Sequence, residues 1–233
     1  MKLCVIPARG GSKRIPRKNI KSFNGKPMIA YSIEAALKSG CFDKVIVSTD
    51  DQKIADVAMK HGAEVPFMRP VELANDHAGT LPVIKQAIEW LEQNDMPPNE
   101  VCCLYATAPF VQVQTLQKAY QQLKTSKADY CFTVTSYPFP IQRAIQVNKE
   151  NRIEMFQPKH FNTRSQDLEE AYHDAGQFYW GKASSFKAIE PLFSTCASPY
   201  FLPRHLVQDI DTAEDWLRAE LMYQVLLKAG ELE

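Results

Sequence analysis

The chain has 233 residues, 45% hydrophobic and 23% charged, which is enough to bury one substantial core and too apolar for a disordered polymer. Lys+Arg and Asp+Glu balance at 27 each, which argues against a broad basic surface for nucleic acid or membrane. No apolar run of about 18 residues and no signal-peptide core appear, so the expectation is one soluble, cytoplasmic domain, residues 1–233, with at most a small insert.

The first apolar run, Lys2 to Ile6, predicts a strand, and a loop dense in Gly and cations follows it at once. A helix is expected after Pro27, with Ile29, Ser32, Ile33, Ala36 and Leu37 on one face and Gly40 just beyond its end. Lys44 to Ser48 reads as a second strand. The helix after it carries Ile54, Val57, Ala58 and His61 on one stripe and stops at Gly62. Val65 to Met68 reads as a short strand. Thr80 is expected to cap a third helix that turns Ile84, Ala87, Ile88 and Leu91 inward. Strands at Val101 to Tyr105 and Tyr130 to Val134 bracket a helix from Gln114 to Lys124.

Beyond Val134 the pattern breaks. Phe139 to about Tyr172 is polar and irregular, and is expected to form an insert with a strand pair and a mobile loop. The chain returns through a strand at Gln177 to Trp180 and ends in a helix that Thr212 starts, with Asp215 completing a capping-box-like pair. Alternating strands and helices predict an α/β fold, a Rossmann-like and mostly parallel sheet with helices on both faces. Ligands then sit beyond the carboxyl ends of the strands, where the sequence puts Arg9, Asp50, Arg69 and Tyr105. Cys4, Cys41, Cys102, Cys103, Cys131 and Cys196 lack C-x-x-C spacing, and four of them fall in apolar strands, so they read as thiols rather than disulfides or zinc ligands.

The chemistry concentrates in the loop after the first strand. Arg9, Lys13, Arg14, Arg17 and Lys18 surround Gly10, Gly11, Ser12 and Asn19. Gly can turn successive N–H groups toward an anion, and the cations neutralise charge that backbone dipoles leave. In a neutral protein such a local excess points to a small polyanion such as a triphosphate. Neither G-x-x-x-x-G-K-[ST] nor G-x-G-x-x-G fits the loop, which excludes P-loop kinases and ordinary dinucleotide enzymes. Near the other end, Asp209 and Asp211 stand two residues apart before a helix. In an extended segment they share a side and could hold a hard cation, although acidic residues before a helix are also favoured by its dipole.

Together these segments resemble the cytidylyltransferases that activate nine-carbon acidic sugars, the family of CMP-sialic acid synthetases. The resemblance rests on Arg9 to Asn19, Val47-Ser48-Thr49-Asp50, Phe67-Met68-Arg69-Pro70 with Glu72, Leu73, Ala74 and Asp76, and Asp209-Ile210-Asp211-Thr212. It implies a nucleotide-diphospho-sugar transferase fold, CTP as a substrate and a nine-carbon acidic sugar as acceptor. It also implies Mg2+ (or Mn2+) on Asp209 and Asp211, and a homodimer formed through the insert. Arg9, Lys13, Lys18 and Asp211 become the catalytic candidates. Arg9, Gly10, Gly11, Ser12, Lys13, Lys18, Asn19, Arg69 and Thr80 become the nucleotide-binding ones.

Two departures point toward the sugar. Tyr105-Ala106-Thr107-Ala108-Pro109-Phe110-Val111 stands where sialic acid enzymes carry a Q-P-T-S-P-L-R-like run, and His173-Asp174-Ala175-Gly176-Gln177-Phe178-Tyr179-Trp180 replaces an N-G-A-I-Y-like strand. Both resemble the branch acting on pseudaminic acid, a deoxy, diacetamido acid with a less polar face. Tyr105, Thr107, Arg143, Arg164, His173 and Gln177 are the sugar-binding candidates, the two arginines because a guanidinium matches a carboxylate. For the general base, Asp211 and a metal-bound hydroxide both stay open. Sialic and legionaminic acid remain as rival acceptors, and a nucleotide-binding regulator without catalysis is the reading from another class.

Overall fold

The computed structural model describes residues 1–75 and 78–232, so Asp76, the last residue of the resemblance that starts at Phe67, lies outside the described residues. In chain order the strands and helices are β1 (Lys2–Pro7), β2 (Ser22–Phe23), β3 (Lys26–Pro27), α1 (Met28–Ser39), β4 (Lys44–Ser48), α2 (Gln52–Lys60), α3 (Thr80–Gln93), β5 (Glu100–Leu104), α4 (Val113–Ser126), β6 (Tyr130–Ser136), β7 (Ile145–Val147), β8 (Ile153–Met155), β9 (Tyr172–Lys182), α5 (Ala183–Ala188), β10 (Ala197–Phe201) and α6 (Ala213–Lys228). Six strands form the main sheet in the order β10-β6-β9-β5-β1-β4.

The strands alternate their side chains between two apolar layers, as the period of two demands. Cys4, Ile6, Val45, Val47, Cys102, Leu104 and Trp180 face α1, α2 and α4. Leu3, Val5, Ile46, Val101, Cys103, Phe132 and Tyr179 face α3 and α5. A third cluster joins Phe23, Tyr31, Trp216 and Tyr223, with Phe23 edge-on to Trp216 at 5.5 Å. This cluster fastens α6, and with it the preceding aspartates, to the segment after the basic loop. A buried edge-to-face pair adds about 0.5–1.5 kcal/mol beyond its area.

Three features differ from the sequence expectation. Strand β9 runs antiparallel to both β5 and β6, so the sheet is mixed although mostly parallel. Strand β10 pairs parallel with β6 and has no apolar run to announce it: Ala-Ser-Pro-Tyr-Phe is only half buried. Residues 65–68 form no ladder; isolated bridges at Glu64 and Met68 hold them beside β4. Caps differ as well. Gly79 precedes α3 and Thr80 is its first residue, which leaves the threonine hydroxyl available to other partners. The capping box of Thr212 and Asp215 is present on both sides. All six cysteines are free thiols, and only Cys196 is exposed. No helix of the described residues is long and apolar enough to cross a membrane.

Candidate active site

The parallel strands β1, β4, β5 and β6 end at one edge of the sheet, and β9, running the other way, begins there. That edge opens into a cleft of about 1110 Å³. Arg9, Ser12, Lys13, Lys18 and Asn19 of the basic loop line it, as do Arg69, Thr80, Tyr105, Thr107, His173, Asp209 and Asp211. Segments far apart in sequence are thereby brought to one wall-to-wall site.

The loop is fixed by its own polar groups. Asn19 is buried and donates from Nδ2 to the Arg9 carbonyl at 2.9 Å, closing the loop on itself. Gly10 donates its N–H to Asp50 Oδ1 at 2.9 Å. That amide is therefore engaged by a carboxylate, a correction to its expected place in the anion cradle. A Cβ at Gly10 would lie 2.8 Å from Asp51 Oδ2, so glycine is required there by close approach. Gly11 has open space where a Cβ would go and is exposed on the loop. Neither glycine is among the cleft walls. Asp51, not Asp50, caps α2, accepting from the Lys53 and Ile54 amides.

The aspartates and the loop form one charge network. Lys18 Nζ donates to the Ile210 carbonyl at 2.6 Å and sits 3.2 Å from Asp211 Oδ1, while Arg14 reaches Asp211 Oδ2 at 2.8 Å. Asp209 is accessible from the cleft, yet the surrounding protein strips part of its hydration, and Asp211 adds like charge. Both raise its proton affinity above the ordinary carboxylate range, against Lys18. Two carboxylates on one wall of a cleft are hard oxygen donors of the kind a divalent cation takes. Mg2+ characteristically takes one or two carboxylates and completes its shell with substrate phosphate and water. The described residues contain no group of three or more candidate ligands, so any such ion would depend on substrate for the rest.

Arg69 is the buried cation of the site. Its Nε donates to Ser48 Oγ at 3.0 Å and its Nη2 to the Ser48 carbonyl, while its backbone N–H bonds the Thr49 carbonyl at 2.7 Å. Burial pulls its pKa down to about 10, Asp50 opposes this, and Arg9 adds like-charge repulsion. A guanidinium held out of water beside another cation favours an anionic or electron-rich ligand.

Three sugar-binding expectations fall outside the cleft. Gln177 is buried and its Nε2 donates to the Leu206 carbonyl at 2.7 Å, so it braces the turn before the aspartates instead of meeting ligand. Arg164 is paired with Asp167 through both Nε and Nη2, and Arg143 points at Ser165 Oγ at 3.4 Å; both stay in the insert. Conversely, Asp174 and Arg204 line the cleft without having been singled out. Asp174 sat in a run whose polar flanks, His173 and Gln177, drew attention first. Arg204 lies in a short turn, Arg204–Leu206, with no periodic signal.

A family model described as cytidylyltransferase matches residues 3–200. The chain belongs to the cytidylyltransferase family. It is 48% identical over 223 residues to a pseudaminic acid cytidylyltransferase of Campylobacter jejuni, covering 96% of each chain. It is 32% identical over 230 residues to a CMP-N,N'-diacetyllegionaminic acid synthase of Legionella pneumophila, again covering 96% of each. Among solved structures, CMP:2-keto-3-deoxy-manno-octonic acid synthetase complexed with CTP has the same fold, with a TM-score of 0.70 at 18% identity and coverage of 97% of this chain and 99% of that one. This cytidylyltransferase is thus a nucleotidyltransferase of α/β nucleotide-sugar transferase fold, as its sequence resemblance implied.

Proposed function

We propose that this cytidylyltransferase transfers CMP from CTP to the anomeric hydroxyl of pseudaminic acid, giving CMP-pseudaminic acid and pyrophosphate. The observation that carries the substrate is the 48% identity with the Campylobacter jejuni enzyme across nearly all of both chains, against 32% with the legionaminic acid enzyme. CTP is a cytoplasmic metabolite, so the reading includes a cytoplasmic reaction.

The chemistry follows from positioning and charge. The sugar hydroxyl attacks the α-phosphorus, the bond to the β-phosphate oxygen breaks, and pyrophosphate carries away the negative charge. Arg9, Lys13 and Lys18, with the Ser12 and Asn19 polar groups, hold the triphosphate and stabilise that charge as it develops. Arg69 and Thr80 sit deeper, beside the end of β4 and the start of α3, and take the cytidine. Asp209 and Asp211 would hold Mg2+, which supplies charge neutralisation at the α-phosphate. Asp211, already paired with Arg14 and Lys18, acts through charge rather than as a proton acceptor. Tyr105, Thr107 and His173 remain on the sugar side.

The insert is the dimerisation surface in this reading. Its hairpin and turns expose Ile145, Val147, Ile153, Phe156 and Phe161, a density of large apolar side chains that a lone domain seldom presents to water. A two-fold dimer would cover them and could bring Arg143 or Arg164 toward the partner's cleft. The test of function is pyrophosphate release with CTP, Mg2+ and a panel of nine-carbon acids. Release with pseudaminic acid and little with sialic or legionaminic acid is expected. Preference for another acid overturns the substrate, and silence with all of them overturns the catalytic reading.

A further inference from the structure

A line of hydroxyls crosses the floor of the cleft and ends on a carboxylate that no role above uses. Thr80 Oγ1 lies 3.3 Å from the Tyr105 hydroxyl, Tyr105 donates to the Tyr179 hydroxyl at 3.5 Å, and Tyr179 donates to Asp174 Oδ2. Asp174 Oδ1 accepts the Gly176 N–H at 2.9 Å, which holds the carboxylate still. The backbone makes this meeting possible. Between the pairs Phe132↔Tyr179 and Val134↔Asp174 the β6–β9 register shifts, and Gly176 takes a positive φ of 64°, so β9 bulges and folds Asp174 back over Tyr179.

The direction of the line is set at one end. An ionised carboxylate has no proton to give, so Tyr179 must donate to it and can only accept from Tyr105. Tyr105, its own proton turned inward, accepts from the Thr80 hydroxyl on one side and turns its remaining lone pair, not a proton, to the cleft. Burial keeps both phenols protonated: it raises the pKa of Tyr179 and of Tyr105, the latter against its bonds to Thr80 and Tyr179. The other groups facing the phenols are Thr80, Cys103 beneath Tyr105, and the ring of Phe132, none of which supplies a competing proton acceptor as strong as Asp174.

We propose that Asp174, acting through Tyr179, fixes the Tyr105 hydroxyl as a hydrogen-bond acceptor toward the cleft, so that the acidic sugar is read there by an N–H or O–H donor. Asp174 and Tyr179 are positioning residues, and Tyr105 is the group that meets the sugar. The inference rests on the acceptor being an acidic sugar bound beside Tyr105. An amide N–H of an acetamido group fits such an acceptor; a carbonyl or carboxylate oxygen in the same place is repelled. Specificity of this kind is strong because the wrong partner leaves a buried polar group unpaired.

The test is a double-mutant cycle read as separate KM values for sugar and CTP. Tyr179→Phe frees the Tyr105 proton to point into the cleft, and Asp174→Asn, similar in size, can reverse the line by donating to Tyr179. Each is expected to raise the sugar KM about tenfold, with the CTP KM within about twofold of wild type. In a Tyr105→Phe background neither change should add a further effect. Equal rises in both KM values, or a full effect persisting in the Tyr105→Phe background, overturns the proposal, because a merely structural role for Asp174 predicts both. If the wild-type enzyme turns over a different nine-carbon acid, the substrate assignment fails separately; the cycle is then run with that acid and decides the role of Asp174 in the same way.

Discussion

The loop at residues 9–19 and the insert at residues 139–172 both carry cations among apolar residues, and the fold treats them in opposite ways. The loop is bonded to distant parts of the chain: Asn19 to Arg9, Gly10 to Asp50, Arg17 to Asp51, and Lys18 and Arg14 to Asp211. The insert is bonded mainly to itself, with Arg164 on Asp167, Asn148 on Glu154 and Arg143 near Ser165. Cations held by long-range partners are fixed in a cleft, whereas cations held by neighbours a few residues away follow wherever their segment goes. The same residue type is therefore pinned against a cleft in one region and left on a locally bonded surface segment in the other.

The largest effect should come from cutting the network at its aspartates. Asp209→Ala or Asp211→Ala is expected to lower turnover by about 10³-fold, equivalent to about 4 kcal/mol of lost charge stabilisation, with the far-ultraviolet circular dichroism unchanged. Near-normal turnover in both variants would remove the metal assignment. Next is Gly10→Ala, where a methyl group must displace Asp51, the cap of α2. It should cost about 1–3 kcal/mol of stability and raise the CTP KM; an unchanged melting curve would show that the loop tolerates what the geometry forbids.

The insert answers differently. Phe156→Ser with Phe161→Ser should leave the melting of each protomer nearly unaltered while shifting light scattering from dimer toward monomer. A monomeric wild type would remove the dimer, and a variant that stays dimeric would place its surface elsewhere. Arg164→Ala, breaking only an exposed pair, should change stability by less than about 0.5 kcal/mol.

A remaining effect concerns a feature shared by neither region. Thr212→Ala removes half of the capping box and should cost about 1 kcal/mol. Asp215 gains its hydrogen bonds from Thr212, which lower its carboxyl pKa below the ordinary value. A depressed folded pKa means that this contribution is complete above pH about 4 and is lost as the pH falls through the lower folded value. The stability difference between wild type and the variant should therefore shrink in acid and hold constant from neutral pH upward; a difference that grows in acid would contradict the box.

By itself the sequence determined what depends on local chemistry. Strand and helix periods were legible for β1, β4, β5, β6 and all the longer helices, and the loop cations and paired aspartates marked two walls of the cleft. The capping box was readable because its partners are three residues apart. What required the tertiary structure was everything set by partners far along the chain. The direction of β9 and the existence of β10 depend on pairing with β6, and a short polar strand carries no period to reveal it. Gln177 looked like a ligand group until Leu206 took its amide, and Gly10 looked like a cradle donor until Asp50 took its N–H. Asp174 became part of the cleft only because a bulge folds it onto Tyr179. A polar side chain declares in sequence that it needs a partner; which partner it finds is settled by packing.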